Sequence, residues 1–177
     1  FQLRQNKLKD IYECLETINE NFPAQNFFEY SEFDEVFGPL LPDTEPMFNY
    51  ICEETKDNIL MAEIYEALSC FSLFTSNSFE EKAKFLFHIF DFDHSGNLQP
   101  KELVLTFQAV LRVLCKVAGL PIPSFEVLEM LATNCFYKID RDLSNSIEFD
   151  EFYKWTLDNL DLQEFLLKYT GSQTISF

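Results

Sequence analysis

Residues 91–102 read DFDHSGNLQPKE, and the spacing of their side chains gives the strongest indication of the fold. Oxygen-bearing side chains fall at positions 1, 3, 5 and 12, a glycine at position 6 and a leucine at position 8. Ca²⁺ takes roughly six to eight oxygen ligands, and alternate residues of a tight loop point inward toward such an ion. Glycine freely adopts the positive φ that the turn at position 6 needs. The candidate ligands are Asp91, Asp93, Ser95, Asn97 through its backbone carbonyl, Gln99 directly or through water, and Glu102 through both oxygens.

The same spacing recurs in residues 140–151, which read DRDLSNSIEFDE. Position 6 is Asn145, which tolerates the left-handed conformation better than other non-glycine residues. Acidic clusters are usually solvated surface, but two of them with this spacing argue against coincidence. The sequence therefore predicts two bound Ca²⁺ ions per chain. The candidate ligands of the second loop are Asp140, Asp142, Ser144, Ser146 through its carbonyl, Glu148 and Glu151.

Composition narrows the class of protein. Of 177 residues 47% are hydrophobic, phenylalanine is abundant at 21 and glycine scarce at 4, which favours an all-α fold packed through aromatic side chains. The formal charge of −17 disfavours nucleic acid as a partner, because phosphates require a basic surface. Five cysteines without a CxxC pair indicate a reducing, cytoplasmic location. No apolar run reaches the ~18 residues of a membrane span, and membrane attachment by lipidation is left open.

A polar break from Thr75 to Ser78 predicts the boundary between two lobes, 1–76 and 77–177. Ser78-Phe79-Glu80-Glu81 has the form of a capping box and predicts the start of the helix that leads into Asp91. Pro100 and Ser124 are predicted to start the next two helices. A short C-terminal helix is expected to carry a stripe formed by Leu162, Phe165, Leu166 and Tyr169. It is expected to dock in a groove lined by Phe87, Phe107, Leu111, Leu128 and Trp155.

The N-terminal lobe is predicted to contain two degenerate loops that keep the fold and lose the ion. One lies between about 21 and 34, with Phe28 near position 8. The other is assigned to Cys52–Glu63, with Ile59 at position 8. On this assignment Phe28 is expected to pair with Ile59, as Leu98 is expected to pair with Ile147 in the other lobe.

The chain resembles the calmodulin superfamily of EF-hand proteins, in particular the neuronal calcium sensor, calcineurin-B-like and calaxin type. Specific likenesses are Pro42-Asp43-Thr44-Glu45-Pro46 after the first unit and residues 78–82 before the third. The resemblance implies four helix-loop-helix units, two of them degenerate, and a Ca²⁺-controlled apolar groove that binds a target helix. The family usually binds Ca²⁺ at the second unit as well, which this sequence does not support.

No enzymatic constellation is evident in the sequence. His88 and His94 are the only histidines, and His94 occupies a loop position that points outward. No phosphate-binding glycine loop, nucleophile elbow or zinc spacing is present. The leading hypothesis is a Ca²⁺ sensor or adaptor that binds a basic amphipathic helix. The alternative is a constitutively docked structural subunit of a cytoskeletal or axonemal, that is ciliary, assembly; a Ca²⁺ buffer fits poorly, because two ion-free loops would serve no purpose in it.

Overall fold

A computed structural model of the chain describes residues 5–160 and residue 164. It divides into two compact units, Phe1–Asn77 and Ser78–Phe177. Eight α-helices and five short strands make up the regular structure of the described residues, so the predicted all-α class is confirmed. No helix among those residues combines the length and the apolarity that a membrane crossing requires. The predicted C-terminal helix lies outside the described residues.

The N-terminal unit packs its helices through a buried aromatic core. Phe33, Phe37 and Phe71 are fully buried, and the rings of Phe37 and Phe71 stack with their centroids 4.7 Å apart. A 3₁₀ turn over Gly38–Leu40 follows the second helix. The elements are α1 (Leu8–Asn21), β1 (Phe27–Phe28), α2 (Tyr30–Phe37), α3 (Glu45–Ile51), β2 (Glu53–Glu54), β3 (Leu60–Glu63) and α4 (Ile64–Phe74).

The three strands of this unit correct one register prediction. β3 lies between β1 and β2, and Phe28 pairs with Ala62 rather than with Ile59. Ile59 instead lies in the tight turn between β2 and β3, where the Thr55 N–H donates to its carbonyl over 2.8 Å. Ala62 is fully buried and Ile59 is 44% exposed. The assignment of the second loop to Cys52–Glu63 was therefore wrong by three residues, and its equivalent is segment 55–66.

The C-terminal unit contains the two acidic loops between pairs of helices. Its elements are α5 (Phe79–Phe90), β4 (Asn97–Leu98), α6 (Pro100–Ala118), α7 (Phe125–Ile139), β5 (Ile147–Glu148) and α8 (Phe149–Asp158). The predicted cap of α5 is present: the Glu81 N–H donates to Ser78 Oγ and the Ser78 N–H donates to the Glu81 carboxylate. Gly119 follows the end of α6, and its φ of +66° is the left-handed conformation expected after a helix.

β4 and β5 join the two loops into one structural element. They are antiparallel, and Leu98 pairs with Ile147 as predicted. Both side chains are fully buried, together with Phe85, Phe90 and Ile139. α5 packs on α6 and α8, and α7 packs on the same two helices. This packing presents both loops at the ends of helices that share one core.

Candidate metal centres

Each acidic loop gathers three carboxylates at one point. Asp91, Asp93 and Glu102 offer oxygen atoms that all lie within 4.8 Å of one another, and so do Asp140, Asp142 and Glu151. The first carboxylate of each group, Asp91 or Asp140, is buried, whereas the second is exposed. Three like charges held this close repel one another, and a divalent cation relieves that repulsion. Within residues 5–160 and 164 these are the only such clusters found.

Backbone N–H groups hold the carboxylates of the 91–102 loop in place. Asp91 accepts from the N–H of Ser95 over 3.0 Å and from that of Gly96 over 2.9 Å. Asp93 accepts from the Ser95 N–H over 3.0 Å. Glu102 accepts from the Phe92 N–H on one oxygen, over 2.9 Å, and from the Gln99 N–H on the other, over 2.8 Å. The loop therefore wraps around its own carboxylates.

The 140–151 loop repeats this framework almost bond for bond. Asp140 accepts from the N–H groups of Ser144 and Asn145, each over 3.0 Å. Glu151 accepts from the Arg141 N–H over 3.0 Å and from the Glu148 N–H over 3.2 Å. Position 6 has a positive φ in both loops, +82° at Gly96 and +64° at Asn145. Asn145 therefore adopts the conformation expected of it.

The predicted ligands at positions 5, 7 and 9 lie beside the carboxylates. The contacts at positions 5 and 7 are alike in the two loops, and those at position 9 differ. Ser95 Oγ donates to the Asn97 carbonyl over 3.0 Å, and Ser144 Oγ donates to the Ser146 carbonyl over 2.9 Å. At position 9, the Gln99 side chain donates to Asp93, whereas Glu148 is exposed and is not part of the three-carboxylate cluster.

Local hydrogen bonds also set the electrostatics of the loops. Ser95 hydrogen bonds, first through its side chain and then through its backbone, lower the pKa of Asp93. Ser144 lowers the pKa of Asp142 in the same way. The one arginine in these loops, Arg141, directs its guanidinium to Asp158, 3.2 Å away at the end of α8. Ionised oxygen donors with backbone support suit a hard cation such as Ca²⁺.

A common feature of the helices that follow the loops was missed by sequence reasoning. Each begins with a polar N-cap residue and has a glutamate at the third helical position. In the ion-binding candidates this glutamate is Glu102 or Glu151. In the N-terminal unit it is Glu32 or Glu66. Because this glutamate is position 12 of the acidic loops, a glutamate at the third position of α4 would have identified segment 55–66 as the equivalent loop.

The two N-terminal equivalents lack the rest of the cluster. In segment 21–32 Glu32 accepts from the Glu29 N–H over 3.0 Å and from the Gln25 amide over 2.9 Å, but no second and third carboxylate of the described residues join it. In segment 55–66 Glu63 caps α4 by accepting from the N–H groups of Tyr65 and Glu66. Neither segment belongs to a group of three metal-ligating side chains among the residues the structure describes.

Comparison with known proteins finds a family likeness for the region of the two loops. Residues 80–157 match the family model of an EF-hand domain pair. No curated protein matches the chain. A chain of the Chaetomium theromophilum TREX2 CID domain complex aligns over 85% of this chain and 88% of its own length, with 16% identity and a TM-score of 0.32, which is too low to inform fold or function. The loop geometry agrees with this likeness, because both carboxylate clusters lie within the region that is similar to an EF-hand domain pair.

Proposed function

We propose that this protein is a Ca²⁺ sensor that binds one ion in the 91–102 loop and one in the 140–151 loop, and then binds a helix of a target protein. The observation that carries the proposal is the pair of three-carboxylate clusters, each within 4.8 Å and each held by backbone N–H groups. The Leu98–Ile147 pairing links the two loops, so that ordering one loop favours ordering of the other.

The proposed ligands follow from position in each loop. The carboxylates of positions 1, 3 and 12 coordinate the ion, and position 7 offers its backbone carbonyl. The serine at position 5 and the residue at position 9 complete the shell directly or through water. In this scheme Glu102 and Glu151 have two roles, because each also accepts the N–H of the residue that caps its helix.

The surface between α6 and α8 is the proposed site for the target helix. The rings of Phe107 and Trp155 lie 6.2 Å apart, and both side chains, like Leu111, are only half-buried. Phe87 and Leu128, also predicted to line the groove, are buried in the core and support its floor. The charge of −17 favours a basic target.

The proposed test uses the only tryptophan of the chain, Trp155, as a reporter of the groove. A synthetic basic amphipathic helix is titrated into the full chain in Ca²⁺ and in chelator. We expect a blue shift of the Trp155 emission on binding in Ca²⁺ alone, because a docked helix removes water from the indole. The double variant Glu102→Gln, Glu151→Gln should abolish this response.

The matched control is Glu32→Gln, the same chemical change at the equivalent position of an N-terminal segment that lacks a cluster. It should leave Ca²⁺ binding and the peptide response unchanged. Calorimetry should count two ions for the unaltered chain, one for each single variant at Glu102 or Glu151, and two for the control. A count of none or four would refute the ion assignment. Peptide binding that is equally tight in chelator would instead favour a constitutively docked subunit.

A further inference from the structure

We infer that the two Ca²⁺ sites are unequal: the 140–151 loop binds the ion more tightly, and Gln99 is the residue that weakens the 91–102 loop. This inference rests on the proposed function, because it assumes that both loops bind Ca²⁺. It assigns a specific role to the residue at position 9, where the two loops differ most.

The backbone frames of the two loops are too similar to distinguish them. Position 1 accepts from positions 5 and 6 over 3.0 and 2.9 Å in the 91–102 loop, and over 3.0 Å twice in the 140–151 loop. Position 3 accepts from position 5 over 3.0 Å in both. Since the frames match, a difference in affinity arises from the side chains.

Position 9 provides that difference. Gln99 Nε2 donates to Asp93 Oδ2 over 2.7 Å, so a neutral amide engages an oxygen of a proposed ligand. An ion that coordinates this oxygen competes with the amide for it. The equivalent residue of the other loop is Glu148, which adds a negative charge instead of a competing donor. Ligand charge is one of the properties that tune the affinity of such loops.

The other charged residues of the two loops also favour tighter Ca²⁺ binding by the 140–151 loop. The 91–102 loop contains three carboxylates and Lys101, whereas the 140–151 loop contains five carboxylates and Arg141. The Arg141 guanidinium is already engaged by Asp158 over 3.2 Å, which reduces its opposition to an incoming cation. Asn145 opposes this trend, because a left-handed non-glycine residue is strained, but asparagine is among the residues that tolerate it best.

The test compares the intrinsic affinities of the two loops in the full chain. Glu102→Gln leaves the 140–151 loop as the ion site, and Glu151→Gln leaves the 91–102 loop. Ca²⁺ titration by calorimetry should give a Kd at least about tenfold lower for Glu102→Gln than for Glu151→Gln, given the range over which ligand charge tunes these loops. The amide resonances of Gly96 and Asn145, whose N–H groups donate to Asp91 and Asp140, report which loop responds.

Exchange of the position-9 residues tests the role of Gln99. Gln99→Glu in the Glu151→Gln background should lower the Kd of the 91–102 loop several-fold. The difference in Kd between the two loops should then become smaller. Glu148→Gln in the Glu102→Gln background should raise the Kd of the 140–151 loop. Equal affinities, the opposite order, or exchanges without effect would overturn the inference while leaving the proposed function intact. Failure of both loops to bind Ca²⁺ would overturn the proposed function as well.

Discussion

Gly96 and Asn145 show how a single backbone angle constrains the sequence of the acidic loops. Both residues have a positive φ, and no atom lies within 4 Å of the position that a Cβ would take at Gly96. The need for glycine there is thus conformational rather than steric. The sequence identified both positions correctly, because a twelve-residue ion-binding loop makes a separate demand at almost every position.

Replacement of Gly96 by alanine should therefore act through the backbone alone. We expect Gly96→Ala to lower the free energy of unfolding of the C-terminal unit by about 1 kcal/mol, the usual cost of the left-handed conformation. It should also weaken Ca²⁺ binding at the 91–102 loop. A backbone shift at position 96 would move the N–H that donates to the carboxylate of Asp91. Denaturant unfolding and calorimetry measure the two effects.

Gly119 provides the matched control, because it has a φ of +66° and open space around it but lies outside both loops. Gly119→Ala should cost a similar amount of stability and leave Ca²⁺ affinity unchanged. A loss of affinity of equal size in both variants would show that the effect on the loop is indirect.

Among the elements, helix starts were predictable where a side chain caps the backbone. Ser78 was recognised from its capping box, and the bonds that define the box are present. The register of segment 55–66 was not predicted correctly. A loop that binds no ion does not need particular residues at the ligand positions, so its sequence does not reveal where it begins. Ile59 was predicted to pair with Phe28, but it lies in the turn between β2 and β3, and Ala62 occupies the pairing position.

The two serine N-caps of the C-terminal unit should differ in their contribution to stability. Ser78 Oγ accepts the Glu81 N–H, whereas Ser124 makes no capping hydrogen bond to its helix backbone. Ser78→Ala should cost about 1 kcal/mol of the free energy of unfolding, the typical value for a lost cap. Ser124→Ala should cost clearly less. Chemical denaturation followed by Trp155 fluorescence compares them, and equal losses would contradict the assigned cap.

For the whole molecule, the two units are expected to respond differently to Ca²⁺. An ion that binds only the folded state stabilises it, by about 2.7 kcal/mol per site at a hundredfold excess over Kd. Both carboxylate clusters belong to the C-terminal unit. We therefore expect Ca²⁺ to raise the unfolding temperature reported by Trp155.

Cys14 reports on the N-terminal unit in the same experiment. Its Sγ donates to the Val36 carbonyl, and burial, with Glu13 and Asp10 nearby, raises the pKa of its thiol to about 12. Since only the thiolate reacts, Cys14 should be labelled at neutral pH only when this unit opens. Peptide mapping should give the same slow labelling rate in Ca²⁺ and in chelator. Strong protection of Cys14 by Ca²⁺ would be incompatible with an N-terminal unit that binds no ion of its own.

The glutamate near the start of each helix that follows a loop separates the folding of that helix from the evolution of the ion site. Glu32 caps α2 through the Glu29 N–H and holds the Gln25 amide in a segment that has no ion-binding cluster. The start of α2 is therefore stabilised by a hydrogen bond that does not depend on a bound Ca²⁺ ion. We therefore expect substitutions at positions 1, 3 and 5 of such a loop to remove or restore ion binding without removing the start of the helix that follows it.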